Sequence, residues 1–209
     1  GVGVAVRRGR ARIDGQPRLV LDDAESDVDS GRWLEATVSR EGGGVPVRVV
    51  SAYFHSGEKD TPKQDAKMAH LPRIGNRMAE LIAEEANGGV SSLVCGDFNV
   101  VRSRCDIKNW TPNHNKRAGV LDEEIAFLNR WVDEGWRDTV RDLAGDTQGP
   151  YSWWSWRGQA FVNNAGWRID YQYATPRLGA LARSFDIGRA PDYDARFSDH
   201  APVSVTYDI

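Results

Sequence analysis

The chain has 209 residues, enough for one sizeable hydrophobic core and short for two domains. With 40% hydrophobic and 27% charged residues it is no disordered chain, and no apolar run approaches the roughly 20 residues of a membrane helix. A net charge of −3 argues against nonspecific coating of nucleic acid, but it leaves room for an enzyme that grips DNA locally around a carboxylate-rich centre.

In chain order, residues 2–6 alternate as a strand that starts abruptly, with no cap or turn before it. Trp33–Ser39 predicts a second strand, Glu41–Gly44 a hairpin turn and Val45–Tyr53 the return strand. A polar loop, His55–Lys63, leads into a helix from about Pro62 to Ala86, because Met68, Leu71, Ile74, Met78, Leu81 and Ile82 keep helical spacing. Pro72 is expected to bend or divide it, and Asn87-Gly88-Gly89 to end it. Leu93-Val94-Cys95 predicts a short buried strand stopping at Gly96-Asp97-Phe98-Asn99, followed by a long polar loop to Gly119. A helix is predicted over Asp122–Glu134. Strands are predicted over Tyr151–Trp156, Trp167–Ala174, residues 179–187 and Val203–Tyr207. Strands outnumber helices, which implies layers of mixed sheet covered by helices in one domain over residues 1–209.

Cys95 and Cys105 form neither a disulfide framework nor a zinc spacing, which suits a reducing cytoplasm, the expected location. Three segments share one design. Asp97 and Asn99 follow a buried strand, Asp170 sits inside an apolar strand, and Asp199-His200 immediately precedes the last strand. Acidic groups at such places are costly unless a metal, a histidine or a phosphate pairs with them. Each taken alone has an ordinary explanation: a turn, a structural carboxylate, a capping loop. Their conjunction points to a catalytic site.

Gly96-Asp97-Phe98-Asn99, Gly166-Trp167-Arg168-Ile169-Asp170 and Ser198-Asp199-His200-Ala201-Pro202-Val203 resemble the ordered motifs of the endonuclease/exonuclease/phosphatase superfamily. Tyr53–Glu58 is similar to its tyrosine motif. The segment Tyr151–Gly158 and the pair Asp106-Ile107-Lys108-Asn109 and Lys116–Gly119 resemble the exonuclease III / apurinic-apyrimidinic (AP) endonuclease branch.

The resemblance implies a DNase I-like four-layer α/β sandwich, two mixed β-sheets flanked by helices. It implies hydrolysis of DNA beside abasic sites or at 3′ ends, with Mg²⁺ or Mn²⁺ as cofactor. The expected partner is double-stranded DNA with abasic sites or 3′ ends, and the family is usually monomeric. His200 would contact the scissile phosphate, Asp170 would orient His200, and Tyr53 would hydrogen-bond the phosphate. Asp97 would orient or deprotonate water beside Asn99. Asp199, with Asp97 and Asn99, would hold the metal, and the division between base and ligand stays open. Trp153, Trp167 and Ile169 would form a pocket for a flipped-out abasic sugar, although core packing is as good a reading of Trp167. Asn113, Asn115 and Lys116, with Lys59, Lys63, Lys108 and Arg117, would grip backbone phosphates.

The family's N-terminal asparagine motif and its Gln-Glu motif do not occur here, so the expectation is an N-terminally truncated chain with weakened metal affinity and an exposed sheet edge. The alternatives are another phosphodiesterase of the superfamily and a catalytically impaired DNA-binding relative.

Overall fold

The computed structural model describes residues 1–24 and 31–209. Residues 2–6 form no strand: Val2, Val4 and Val6 are half-buried in alternation, but the segment pairs with no other backbone among the described residues. A turn at Arg7–Arg10 leads instead into β1 (Ala11–Arg18), which the sequence did not announce. That strand, Ala-Arg-Ile-Asp-Gly-Gln-Pro-Arg, lies at a sheet edge with most side chains exposed, so it lacks apolar alternation.

β2 (Trp33–Arg40) and β3 (Val47–Tyr53) pair antiparallel, joined by the expected turn. The helix α1 (Pro62–Ala86) returns the chain to β4 (Ser91–Asp97), which runs parallel to β3. Pro72 leaves α1 one continuous element, neither divided nor ended. Its inward stripe, Leu71, Ile74, Met78 and Leu81, is fully buried with Val50 and Val94 of the sheet and with Leu128 and Trp131 of α3 (Asp122–Asp133).

The loop after β4 contains a 3₁₀ turn (Arg104–Asp106) and the short α2 (Trp110–Asn113). After α3 come β5 (Arg137–Asp138), α4 (Thr139–Ala144), β6 (Asp170–Ala174), α5 (Pro176–Gly179), β7 (Ala182–Ile187) and β8 (Val203–Tyr207). The six-stranded mixed sheet has the order β1-β2-β3-β4-β6-β5. β7 and β8 form an antiparallel pair. It packs on the first sheet through Gln172, which donates to the Val203 carbonyl at 3.0 Å, and through Tyr207, which reaches Thr139 and Gln172 at 3.2 Å. The fold is the α/β sandwich of DNase I-like nucleases, as the resemblance implied.

Tyr151–Trp156 is not a strand. Trp153 makes single bridges to both Trp167 and His200, and Trp154 N–H donates to the Asp199 carbonyl, so neighbouring residues pair in different directions and no ladder propagates. β6 starts at Asp170 rather than Trp167 because the Arg168 N–H turns away to the Asp106 carbonyl (2.7 Å). Helix α5 occupies Pro176–Gly179, so β7 begins only at Ala182.

Candidate active site

The register of three strands lines up the site. Tyr53 on β3 is paired with Asp97 on β4, and Asp97 with Asp170 on β6, so the three lie in one row across the sheet end. Gly96 makes the row possible: its φ is +144°, and a Cβ there would overlap the Ala52 carbonyl on β3. Beyond the strand, Asn99 takes a left-handed conformation (φ +52°). Asp97 holds it there, accepting from the Asn99 backbone N–H at 2.8 Å and from its Nδ2 at 2.9 Å.

His200 enters from the loop before β8. Its Nδ1 lies 2.9 Å from Asp170 Oδ2, and its Nε2 faces Asp97 Oδ2 at 3.9 Å. The imidazole therefore spans two carboxylates. Burial pushes the Asp97 carboxyl up, and the nearby Asp170 charge adds to this, bringing it to about 7. Burial alone would lower the His200 pKa, but the hydrogen bond that His200 donates to Asp170 and the charges of Asp170, Asp97 and Asp199 outweigh burial and raise it. Ser152 fixes the far side of this pair. Fully buried, it donates to Asp170 Oδ2 at 2.6 Å and accepts from the Asp170 N–H at 3.2 Å.

Asp199 lies beside the row, its Oδ2 accepting from Trp153 Nε1 at 2.9 Å. Trp153 and Trp167 meet edge to face at 5.6 Å and are partly exposed. Ile169 is buried with Val101, Ile107 and Val120 and backs this pair from inside the core. Tyr53 is about one-third exposed, with the Arg32 guanidinium over its ring.

The predicted phosphate-gripping residues are scattered. Asn113 is tied to the Asn109 carbonyl and Asn115 to Asp122, whereas the Lys116 ammonium has only a long contact to the Thr111 carbonyl. Lys59 and Lys63 pair with Asp60 and Glu58. Lys59 and Asn115 share a cleft of about 680 Å³ with Asp60, Asp65, Asp122 and Glu123, which is not an attractive field for phosphates.

Sequence reasoning missed two supports. Lys67 and Glu124 form a 2.7 Å ion pair, 1% and 0% exposed. Lys67 also donates to the Asn99 carbonyl at 2.9 Å, and Glu124 accepts the Leu121 N–H at 3.2 Å, which joins α1, α3 and both ends of the loop after Asp97. The signal was available: Gln64 and Lys67 continue the stripe of Leu71, Ile74 and Met78 at steps of three and four. The second support is Arg168. Fully buried, it bonds Asp106 at 2.6 Å and Asp138 at 2.8 Å, and Arg141 also reaches Asp106 at 2.6 Å. Asp106, which carried part of the branch resemblance, thus anchors the loop behind the site.

A sheet-end row of carboxylates is thus met by a histidine from the loop before β8. The chain belongs to the Endonuclease/Exonuclease/phosphatase family, whose model matches residues 1–200. It is 37% identical over 117 residues to the exodeoxyribonuclease of Bacillus subtilis, covering 56% of this chain and 44% of that protein. To the exodeoxyribonuclease III of Haemophilus influenzae it is 26% identical over 207 residues, 95% of this chain and 70% of that one. The structure of an AP endonuclease from Archaeoglobus fulgidus superposes with a TM-score of 0.76 at 20% identity, covering 96% of this chain and 80% of that one. The expected likeness to exonuclease III and AP endonucleases is therefore borne out. The chain spans less than half the length of several curated relatives that it matches.

The family depends on a divalent metal. Among the described residues no three His, Cys, Asp or Glu side chains converge on one point. The nearby oxygen donors are Asp97, Asn99 and Asp199, and both Asp97 oxygens and one Asp199 oxygen already accept N–H groups. Such a set fits a hard cation that keeps most of its water, as Mg²⁺ does with one or two carboxylates, and not a closed protein cage. Among the described residues no helix is long and apolar enough to cross a membrane.

Proposed function

We propose that residues 1–209 form one catalytic domain that hydrolyses phosphodiester bonds of double-stranded DNA, cutting 5′ to abasic sites, removing 3′-terminal nucleotides, or both, in base-excision repair. The observation that carries this reading is the Asp97–His200–Asp170 arrangement at the end of the Tyr53 row, with the Trp153–Trp167 pair beside it. With Asp170 holding Nδ1, His200 presents Nε2 to a phosphate oxygen. Asp97, on the other side of the same gap, orients the attacking water and takes its proton, with Asn99 locking the carboxylate. Tyr53 adds a hydroxyl next to Asp97. Asp199, with Asp97 and Asn99, would hold Mg²⁺ or Mn²⁺, which would offset charge on the phosphate and the leaving oxygen. Trp153 and Trp167 receive the extruded abasic sugar, backed by Ile169, and of the polar loop Lys116, which has no acidic partner among the described residues, borders the strand. The chain acts as a monomer in the cytoplasm.

A non-cleaving DNA-binding relative is favoured by one observation: among the described residues no three-ligand metal cluster exists. A labelled duplex containing one abasic-site analogue, incubated with Mg²⁺, Mn²⁺ or EDTA, separates the two. Metal-dependent incision, reduced at least about a hundredfold in Asp97→Asn, is the expected result. Binding without incision under either metal would establish the second reading.

A further inference from the structure

A cavity of about 310 Å³ borders His200, and the proposed mechanism does not use it. Its walls include Trp154, Phe161, Arg189, Arg196, Phe197 and His200 itself. Five observations bear on its guest. The volume sits at the lower end of the roughly 300 to 1,000 Å³ of small-molecule pockets, a fit for one planar group. The described lining contains two arginines and a histidine and no acidic residue, although Asp192 and Asp194 belong to the same loop. The guanidinium groups are held flat: Arg189 lies 4.1 Å over the Phe161 ring, and Arg196 lies 4.0 Å over Trp156 and 4.6 Å over Phe161. Arg196 is fixed by donating Nε to the Ser198 carbonyl and Nη2 to the Trp154 carbonyl, and its buried Nη1 has no hydrogen-bond partner among the described residues. At the lip, Phe197 is 84% exposed, which is costly for a large aromatic with nothing to cover it.

We propose that this cavity takes the base of an unpaired nucleotide next to the scissile phosphate, stacked against Phe197 and aligned by Arg189 and Arg196. Aromatic rings and guanidinium planes are what unstacked bases bind to, and every base presents a π face. The cations suit the phosphates on either side of that base. Continuity with His200 places the base one nucleotide from the reacting phosphate, so the cavity would favour frayed or unpaired 3′ ends over fully paired ones. The inference rests on the DNA-hydrolase reading above.

The test uses phosphorothioate-protected labelled duplexes in Mg²⁺ buffer. One carries a single unpaired 3′ nucleotide, and the other has an abasic residue at that position. The wild-type chain is expected to bind the first at least about fivefold more tightly, the lower end of what one base–aromatic stack contributes. Phe197→Ala removes the platform, and Ala195→Phe fills the cavity from an exposed lining position. Both should bring the ratio to about one while unfolding at the wild-type temperature. A ratio near one in the wild type, or one unchanged in both variants, overturns the cavity's role and leaves the nuclease reading intact. Failure of the wild-type chain to bind either duplex would overturn both.

Discussion

At the level of single residues, the site is a set of constraints on Asp170 and Asp97. Asp170 shares its Oδ2 between His200 and Ser152, so the hydroxyl fixes the angle at which the carboxylate meets the imidazole. Ser152→Ala should therefore lower kcat by on the order of tenfold with KM nearly unchanged, as second-layer partners of histidine sites do. Its unfolding free energy should fall by only about 1 kcal/mol, the contribution of one hydrogen bond. A KM effect as large as the kcat effect would show that Ser152 shapes binding instead. Gly96 constrains differently. Gly96→Ala places a methyl on the Ala52 carbonyl at a φ that side chains rarely adopt, so it should destabilise by more than about 3 kcal/mol, measured by urea unfolding. The acidic and histidine positions were legible in the sequence because charge inside apolar strands is conspicuous. Ser152 and Lys67 were not, because a serine between aromatic residues and a lysine in a long helix look ordinary until burial is known.

Between elements, two buried ion pairs fix α1, and each makes its own prediction. Lys67 and Glu124 join α1 to α3 with almost no solvent access. Burial pushes the Lys67 ammonium down, and the Glu124 charge only partly restores it. Lys67→Met leaves Glu124 as an unpaired buried charge and should cost about 3 to 5 kcal/mol, while the double variant with Glu124→Gln, which removes the charge and keeps an oxygen for the Gly119 and Leu121 N–H groups, should recover part of that loss. Additive losses in the cycle would mean that the two side chains act independently. Farther along the same helix, Arg77 of α1 grips Glu35 of β2 at 2.7 Å with both oxygens engaged. Burial raises the Glu35 carboxyl, but the hydrogen bonds from Arg77 and Trp33 outweigh it, so its pKa lies below the ordinary glutamate value. A depressed folded pKa contributes stability above the unfolded value, and that contribution is lost as pH falls through the folded one. The stability gap between wild type and Glu35→Gln should accordingly narrow on acidification below the ordinary glutamate range, and a constant gap would remove the ion pair from the account. Helical spacing revealed α1 and its approximate bounds. The aromatic segment at Tyr151–Trp156 misled because its pattern suits a strand, whereas its hydrogen bonds go to two different partners.

For the whole molecule, the proposed function raises the question of how a chain of net charge −3 would hold a polyanion. The layers answer in part: the six-stranded sheet delivers Tyr53, Asp97 and Asp170 from one side, and the β8 loop delivers Asp199 and His200 from the other. That meeting was legible only as a conjunction of motifs, since sequence gives order along the chain and not the register that aligns it. Charge was less legible still. Lys59 and Lys63 pair with Asp60 and Glu58, and Lys59 faces a carboxylate-lined cleft, whereas the Lys116 ammonium has no acidic partner among the described residues and stands on the loop after β4. Only cations that lie on phosphates release counterions, about 0.9 per contact on duplex DNA. Lys116→Ala should therefore reduce the slope of log affinity against log salt by about one, whereas Lys59→Ala and Lys63→Ala should leave it unchanged. Measuring duplex binding at several salt concentrations checks this directly. Equal slopes for all three variants would move the DNA track off the Asn113–Lys116 loop, and a drop for Lys59→Ala would place it across the acidic cleft instead.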